Sequence, residues 1–240
     1  MILTRARDPR VRFPRLRRAS ARASGYLLAA LLLLPSLAHG QPRSPSLESW
    51  LAALQAKYAR VRTLTADFVH LYTAAGSPPR REEGTVLLAR PRRMRWHYRR
   101  PEEKLFISDG KHVYLYVPAE RQVIRAKIRE AEDIKAAFAF LLGELDLHRL
   151  FARIERINSP SPLQAGNIVL RFIPRDARLG FSELIAEVTP ASLQIVHVSI
   201  RELDGARSDF LFSNIRENVP IPRSAFVFTI PPGVQVLDAR

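Results

Sequence analysis

Apolar residues recur along this chain with two periods, and the switch between them predicts most of its elements. Leu47, Trp50, Leu51, Leu54, Tyr58 and Val61 are spaced mostly three or four apart, which predicts an amphipathic helix running to about Arg60. Ser44-Pro45 suits its N-cap and first helical position. From Leu64 the period becomes two: Leu64, Ala66, Phe68, His70 and Tyr72 alternate with Thr65 and Asp67, the pattern of a half-buried strand. A turn is predicted at Gly76-Ser77-Pro78-Pro79, a second strand over 84–89, and a third where Met94, Trp96 and Tyr98 alternate with Arg93, Arg95, His97 and Arg99. Strands over 105–107 and 113–117 flank Ser108-Asp109-Gly110-Lys111, where Asp-Gly is a strong hairpin-turn signal. Residues 122–126 read as a further strand.

The pattern breaks between Glu130 and Phe151. Ile134, Phe138, Leu141, Leu142 and Leu145 predict a helical segment apolar around most of its circumference. Gly143 ends or bends it, and Leu147, Leu150 and Phe151 continue the apolar content. Strands return at 167–173, 184–188, 193–200 and 208–215. Pro220 and Pro222 then precede an apolar run over 226–230, and Pro231-Pro232-Gly233 leads into a short tail. Most of these connections are too short for parallel crossovers. The fold class read from the pattern is mainly β (α+β): a long, mostly antiparallel sheet with one helix in front and an apolar helical insertion in the middle.

The first forty residues have the three zones of a cleavable secretory signal. Eight arginines, offset by Asp8, precede the apolar run Tyr26–Leu34, and Pro35 ends any helix there. Ala38-His39-Gly40 suits a cut before Gln41, and Ser36-Leu37-Ala38 offers another two residues earlier. The apolar run is far shorter than the ~20 residues that cross a bilayer. The expected organisation is a signal over 1–40, a short linker over 41–45 and one domain over 46–240. The net charge of +15 then falls to +8, because eight of the 38 Lys+Arg and one of the 23 Asp+Glu lie before residue 41. That charge comes with no recognition motif, so no nucleic-acid partner is expected.

The chain contains no cysteine, which excludes disulfides, thiolate metal sites and a cysteine nucleophile. There is no G-x-S-x-G elbow, no H-E-x-x-H helix and no phosphate loop. Ser108, Asp109 and His112 sit too close around one hairpin to converge as a triad, so Asp109-Gly110 reads as turn chemistry. No catalytic residue, cofactor or metal is expected. The basic stretch Arg90–Arg100 has two readings: a solvated strand face that blunts a sheet edge, or a docking surface for an acidic partner or lipid headgroups.

Three stretches in order carry a resemblance. Gly84-Thr-Val-Leu-Leu-Ala-Arg90-Pro91-Arg-Arg-Met94-Arg-Trp96-His-Tyr98-Arg-Arg-Pro101-Glu102 is the first. Ile107-Ser108-Asp109-Gly110-Lys111-His-Val-Tyr114-Leu-Tyr116-Val-Pro118, continuing to Gln122-Val123, is the second, and Phe226-Val-Phe228-Thr-Ile-Pro231-Pro-Gly233-Val234 the third. Together, with Ala137–Gly143 as a short central helix, they resemble the outer-membrane lipoprotein carrier family, the LolA-like periplasmic chaperones. The resemblance implies an incomplete, strongly bent antiparallel β-barrel closed by a lid of short helices. It implies that Arg90 locks the lid by donating to helix carbonyls, a role for which a guanidinium's five fixed donors suit it. It also implies acylated lipoproteins as cargo, an inner-membrane ATP-driven (ABC) transporter as donor and an outer-membrane acceptor lipoprotein. A monomer is expected.

On that basis the expected acyl-chain-binding residues are Phe68, Met94, Trp96, Phe106, Tyr114, Phe138, Leu141 and Leu142. Two departures bear on cargo: His70 stands where the family usually has glutamine, and Tyr114 replaces a frequent tryptophan. The anchored acceptor of the pathway carries a lipidated N-terminal cysteine, so a cysteine-free chain fits the mobile carrier. A lipid- or lipoprotein-sensing module, and a dedicated carrier for another acylated product, remain open alternatives.

Overall fold

Residues 46–74, 76–127 and 146–239 are described in the computed structural model. The expected signal, the linker and the apolar segment containing Phe138, Leu141 and Leu142 lie outside the described residues.

Helix α1 spans Leu47–Arg60. Its N-cap is Ser46 rather than Ser44: the Ser46 hydroxyl accepts the Ser49 N–H at 3.2 Å, satisfying one of the first-turn donors. Glu48 in the first turn and Lys57 and Arg60 in the last complement the helix dipole. The stripe Trp50, Leu51, Leu54 and Tyr58 is buried, as its spacing requires.

Six strands follow: β1 (Thr63–Thr73), β2 (Arg80–Ala89), β3 (Arg93–Arg100), β4 (Lys104–Asp109), β5 (His112–Val117) and β6 (Gln122–Lys127). After a single helical turn, α2 (Leu147–Leu150), come β7 (Phe151–Ile157), β8 (Ile168–Pro174), β9 (Phe181–Thr189), β10 (Gln194–Glu202) and β11 (Arg207–Glu217), with β12 (Gln235–Asp238) last. They form one open, curled sheet in the order β12-β6-β5-β4-β3-β2-β1-β11-β10-β9-β8-β7. Two meanders are thus joined where β1 meets β11, with Phe68 opposite Phe212 and His70 opposite Phe210. The result is the incomplete, bent barrel that the resemblance implies, with helix α1 packed into its concave face.

Two segments differ from expectation. Strand β7 begins at Phe151, which the pattern reads only as continuing the apolar content of the insertion; it is an edge strand whose Ala152, Arg153 and Arg156 are exposed, so no clean alternation marks it. At the other end, the apolar run 226–230 is not a strand. Arg223–Phe226 is a 3-10 turn, and the tail supplies β12, which pairs parallel to β6. The prolines on both sides of the run withhold ladder donors, whereas Gln235–Asp238 needs only the free edge of β6.

Residues 223–234 form an arm over the convex face of β3–β5. Phe226 is buried there beneath Arg93, whose guanidinium carbon lies 5.6 Å from the ring centroid, and Arg95 donates to the Ala225 carbonyl at 3.2 Å. Phe228 packs against Tyr114 and Tyr116, with centroids 5.4 and 5.6 Å apart. This corrects the edge-blunting reading of Arg90–Arg100. Strand β3 is interior, paired on both sides, and two of its arginines hold the arm.

Gly84 has a steric cause. A Cβ at this position would lie 2.1 Å from the His97 carbonyl oxygen and 2.9 Å from Phe68 Cζ. The close approach sits at the register shift between Glu83 and Gly84 that bends β2 against β3.

Candidate functional site: the concave face

Residues directly opposite in a sheet share a face, so the register decides which side chains meet. Met94, Trp96 and Tyr98 point into the curl. Trp96 lies opposite Phe106, Phe106 opposite Leu115, Leu115 opposite Ile124 and Ile124 opposite Leu237. One apolar row therefore crosses β3, β4, β5, β6 and β12. Its burial falls along its length: Trp96 is 1% exposed, Phe106 and Leu115 are half-buried, and Ile124 and Leu237 reach 39% and 38%.

The buried end of the row is an aromatic cluster. Phe68 meets Trp96 and Tyr98 edge-on at 5.0 and 4.9 Å, and Trp96 meets Phe210 at 5.3 Å. Edge-to-face pairs of this kind contribute about 0.5–1.5 kcal/mol each beyond their buried area. Across the face, α1 packs Trp50, Leu51, Leu54 and Tyr58 against residues of β1, β2, β3 and β8–β11. The Tyr58 hydroxyl accepts the Ile195 N–H at 2.9 Å. Burial is the main cause that pushes this phenol's pKa well above its ordinary value. Between α1 and the β9–β10 turn lies a recess of about 540 Å³, lined by Leu47, Trp50, Ile168, Pro190 and Leu193.

Arg90 follows β2 and reaches this helix. Its Nη2 donates to the Tyr58 carbonyl at 3.0 Å, in the last turn of α1, where that carbonyl has lost its i+4 partner and also accepts the C-cap Val61 N–H at 3.2 Å. Its backbone N–H donates to Arg62 O at 2.9 Å, and its carbonyl accepts from Arg93 Nη2 at 2.6 Å. The turn carrying the guanidinium is thus tied to the α1–β1 connection and to β3.

A charged cluster lies at the other end of the same face. Glu82 is 3% exposed and accepts from Lys104, with His70 Nδ1 at 3.2 Å and Arg80 Nε at 3.3 Å. His70 stacks flat on Phe210 at 4.2 Å. Burial holds the His70 pKa below 6.5 despite the pull of Glu82. Burial alone would raise Glu82, but the hydrogen bond and charge of Lys104, with Arg80 and His70, outweigh it and keep the carboxyl below its usual range. Asp209, on the convex face, behaves alike: burial is opposed successfully by hydrogen bonds from His197, Arg207 and Ser199.

These shifts have one sign in stability. An imidazole depressed in the fold takes its proton more readily in the unfolded chain, so stability falls as pH drops below about 6.5. Depressed carboxylates contribute stability above the ordinary carboxylate range and lose it as pH falls through that range. The melting temperature is therefore expected to decline in two stages with acid. In His70→Gln the first, shallower stage should vanish while the second persists; an unchanged first stage would remove His70 as its cause.

Of the residues expected from sequence, Phe68, Met94, Trp96 and Phe106 share the concave face. Tyr114 does not. It pairs with Ile107 and Arg125, which places it on the convex side against Phe228. Phe138, Leu141 and Leu142 lie outside the described residues. The reading missed Tyr98, Leu115, Ile124, Leu237 and Phe210, although hairpin register would have placed Leu115 and Ile124 beside Phe106.

The comparisons with known proteins bear on this face as a whole. A family model described as outer membrane lipoprotein carrier protein LolA matches residues 59–229, which include Arg90 and all of β1 to β11. The chain belongs to the outer-membrane lipoprotein carrier family. An outer-membrane lipoprotein carrier protein of Bordetella avium is 32% identical over 211 residues, covering 88% of this chain and 94% of its own length. The carrier protein of Aeromonas salmonicida is 28% identical, covering 79% and 89%. A solved structure from Thermus thermophilus, an uncharacterized conserved protein, has a TM-score of 0.50 at 11% identity, covering 80% of this chain and 98% of its own, and shares the fold. As a family, the carriers are named for transport rather than for a reaction. Among the described residues no helix is long and apolar enough to cross a membrane, and no group of three or more His, Cys, Asp or Glu could hold a metal.

Proposed function

We propose that this chain works in the periplasm, covering the acyl chains of lipoproteins released from the inner membrane and passing them to an outer-membrane acceptor. The observation that supports this most is the apolar row that runs from buried Trp96 to exposed Ile124 and Leu237. A row graded from core to rim offers an acyl chain a continuous apolar track whose inner end is already desolvated. A triacylated lipoprotein carries about 45 methylenes, whose exposure at ~0.8 kcal/mol each would cost about 35 kcal/mol as an upper bound. Such cargo needs a cover to cross water. Phe68, Met94, Trp96 and Phe106 supply the inner part of the track, and Leu115, Ile124 and Leu237 the outer part.

Release from the inner membrane requires energy, and the chain has no nucleotide-binding loop. The donor in this reading is an ATP-driven (ABC) transporter, and Arg90, bonded to the end of α1, governs whether the helix lies closed over the face. The test is mass spectrometry of acylated proteins that co-purify with the periplasmic protein, compared with the double variant Ile124→Glu/Leu237→Glu. These side chains are too exposed to carry much of the fold, so the variant should stay folded yet recover at least tenfold less acylated protein. Wild-type protein that emerges with no acylated partner would refute the carrier reading.

A further inference from the structure

The positive charge of this domain is gathered at one end. Arg60 ends α1 and Arg62 lies just before β1, Arg90 and Arg92 lie in the β2–β3 turn with Arg93 opening β3, and Lys111 tips the β4–β5 turn. Arg216 is the last residue but one of β11, and Arg223 begins the arm. Hydrogen bonds join these segments side by side. Arg90 N–H donates to Arg62 O, Arg62 N–H to Asn218 Oδ1, Asn218 N–H to Thr63 O, and Ser108 Oγ to Arg92 O. A Cβ on Gly110 would lie 3.5 Å from Pro91 O, so the β2–β3 and β4–β5 turns touch as well.

Two carboxylates share this end. Asp109 caps its own turn by accepting the Lys111 and His112 N–H groups, and Glu217 is paired with Lys57 at 2.7 Å. Outside the eight cationic residues, the described chain carries 18 Lys+Arg against 18 Asp+Glu. Counted with its own two carboxylates, this rim carries +6 of the net +8 of the described residues. Arg60, Arg62, Arg92, Lys111, Arg216 and Arg223 are exposed.

We propose that this rim docks the domain on an anionic phospholipid surface. The occupant follows from the kind of contact offered. A protein interface centres on a clustered anchor of aromatic and arginine side chains that fill pockets. Here Phe226 is 1% exposed beneath Arg93, and the exposed arginines stand on separate segments: the end of α1, the residue before β1, the β2–β3 turn, the end of β11 and the arm. What remains is single charges spread over several loop tips, with exposed Val227 in the adjoining arm. That pattern suits mobile headgroups, where each Lys or Arg near the surface contributes independently. Because the same end carries the Arg90 contact to α1, docking brings a membrane to the point where the helix is held. The inference rests on the carrier reading for its purpose but not for its test.

The test is sedimentation of the purified signal-free protein, without cargo, with vesicles of phosphatidylcholine alone or mixed with phosphatidylglycerol. Binding is expected only to the mixed vesicles, and high salt should abolish it. The triple variant Arg62→Glu/Lys111→Glu/Arg223→Glu should lower the partition coefficient at least about 100-fold, because three cations are reversed. Arg149→Glu/Arg153→Glu/Arg178→Glu, with the same change in charge elsewhere, should retain most binding, and the circular dichroism of both variants should match the parent. Absence of binding to mixed vesicles, or equal losses in the two triples, would overturn the proposal. Capture of an acidic protein domain by the rim without vesicle binding would overturn it in favour of a protein partner. Co-purification of acylated cargo reads the carrier function separately, so either idea is free to fail alone.

Discussion

Trp96→Ala is expected to lower the unfolding free energy by about 3–5 kcal/mol, the range for removing a large buried aromatic. The indole is 1% exposed and lies edge-on to Phe68 and Phe210. Against a total stability of about 5–15 kcal/mol for a domain, this removes a large part of what holds both meanders together. Urea denaturation followed by circular dichroism measures it. Phe106→Ala, one strand further along the same row, should cost less, because part of its ring is already in water. Equal losses at the two positions would mean that the row has no gradient, and the proposed track would lose its basis.

Arg90→Leu should bind acylated cargo yet pass it to the acceptor at least about tenfold more slowly, since a hydrogen bond to a charged group contributes about 1.5–3 kcal/mol. The expectation rests on the bond from Nη2 to the Tyr58 carbonyl. Arg90→Lys is the informative companion. It keeps the charge but loses the planar fork, so it should behave more like the leucine variant than like the parent. Transfer assayed with purified acceptor and a radiolabelled lipoprotein reads both. Normal transfer by Arg90→Leu would remove the residue from the mechanism.

Most of the sheet was legible from alternation, because burying one face imposes a period of two. Strands β1 to β6 and β8 to β11 all fall where apolar residues alternate or cluster. Strand β7 escaped because an edge strand with charges on both sides of its backbone satisfies its face with few apolar residues. Tyr114 was misplaced for a different reason. An aromatic in a strand says nothing of its face, but a two-residue loop pairs residues whose numbers sum to an odd value. Phe106 and Tyr114 therefore could not share a side. The basic stretch misled because single-strand reasoning cannot see the arm, 130 residues away in sequence, whose Ala225 carbonyl Arg95 binds. Arg90 stood out through family resemblance alone; nothing in its local sequence distinguishes it from its neighbours.

The sheet is completed by residues far apart in the chain: Phe68 meets Phe212, and Val123 meets Val236. Loop-closure entropy must be overcome before such pairings reward it, so folding is slow and the first meander waits for the last. Until β11 arrives, β1 is an open edge with half of its aromatic cluster in water. The concave face is accordingly closed by a strand made about 140 residues after the one it pairs with, so its two halves become one surface only when β11 docks on β1.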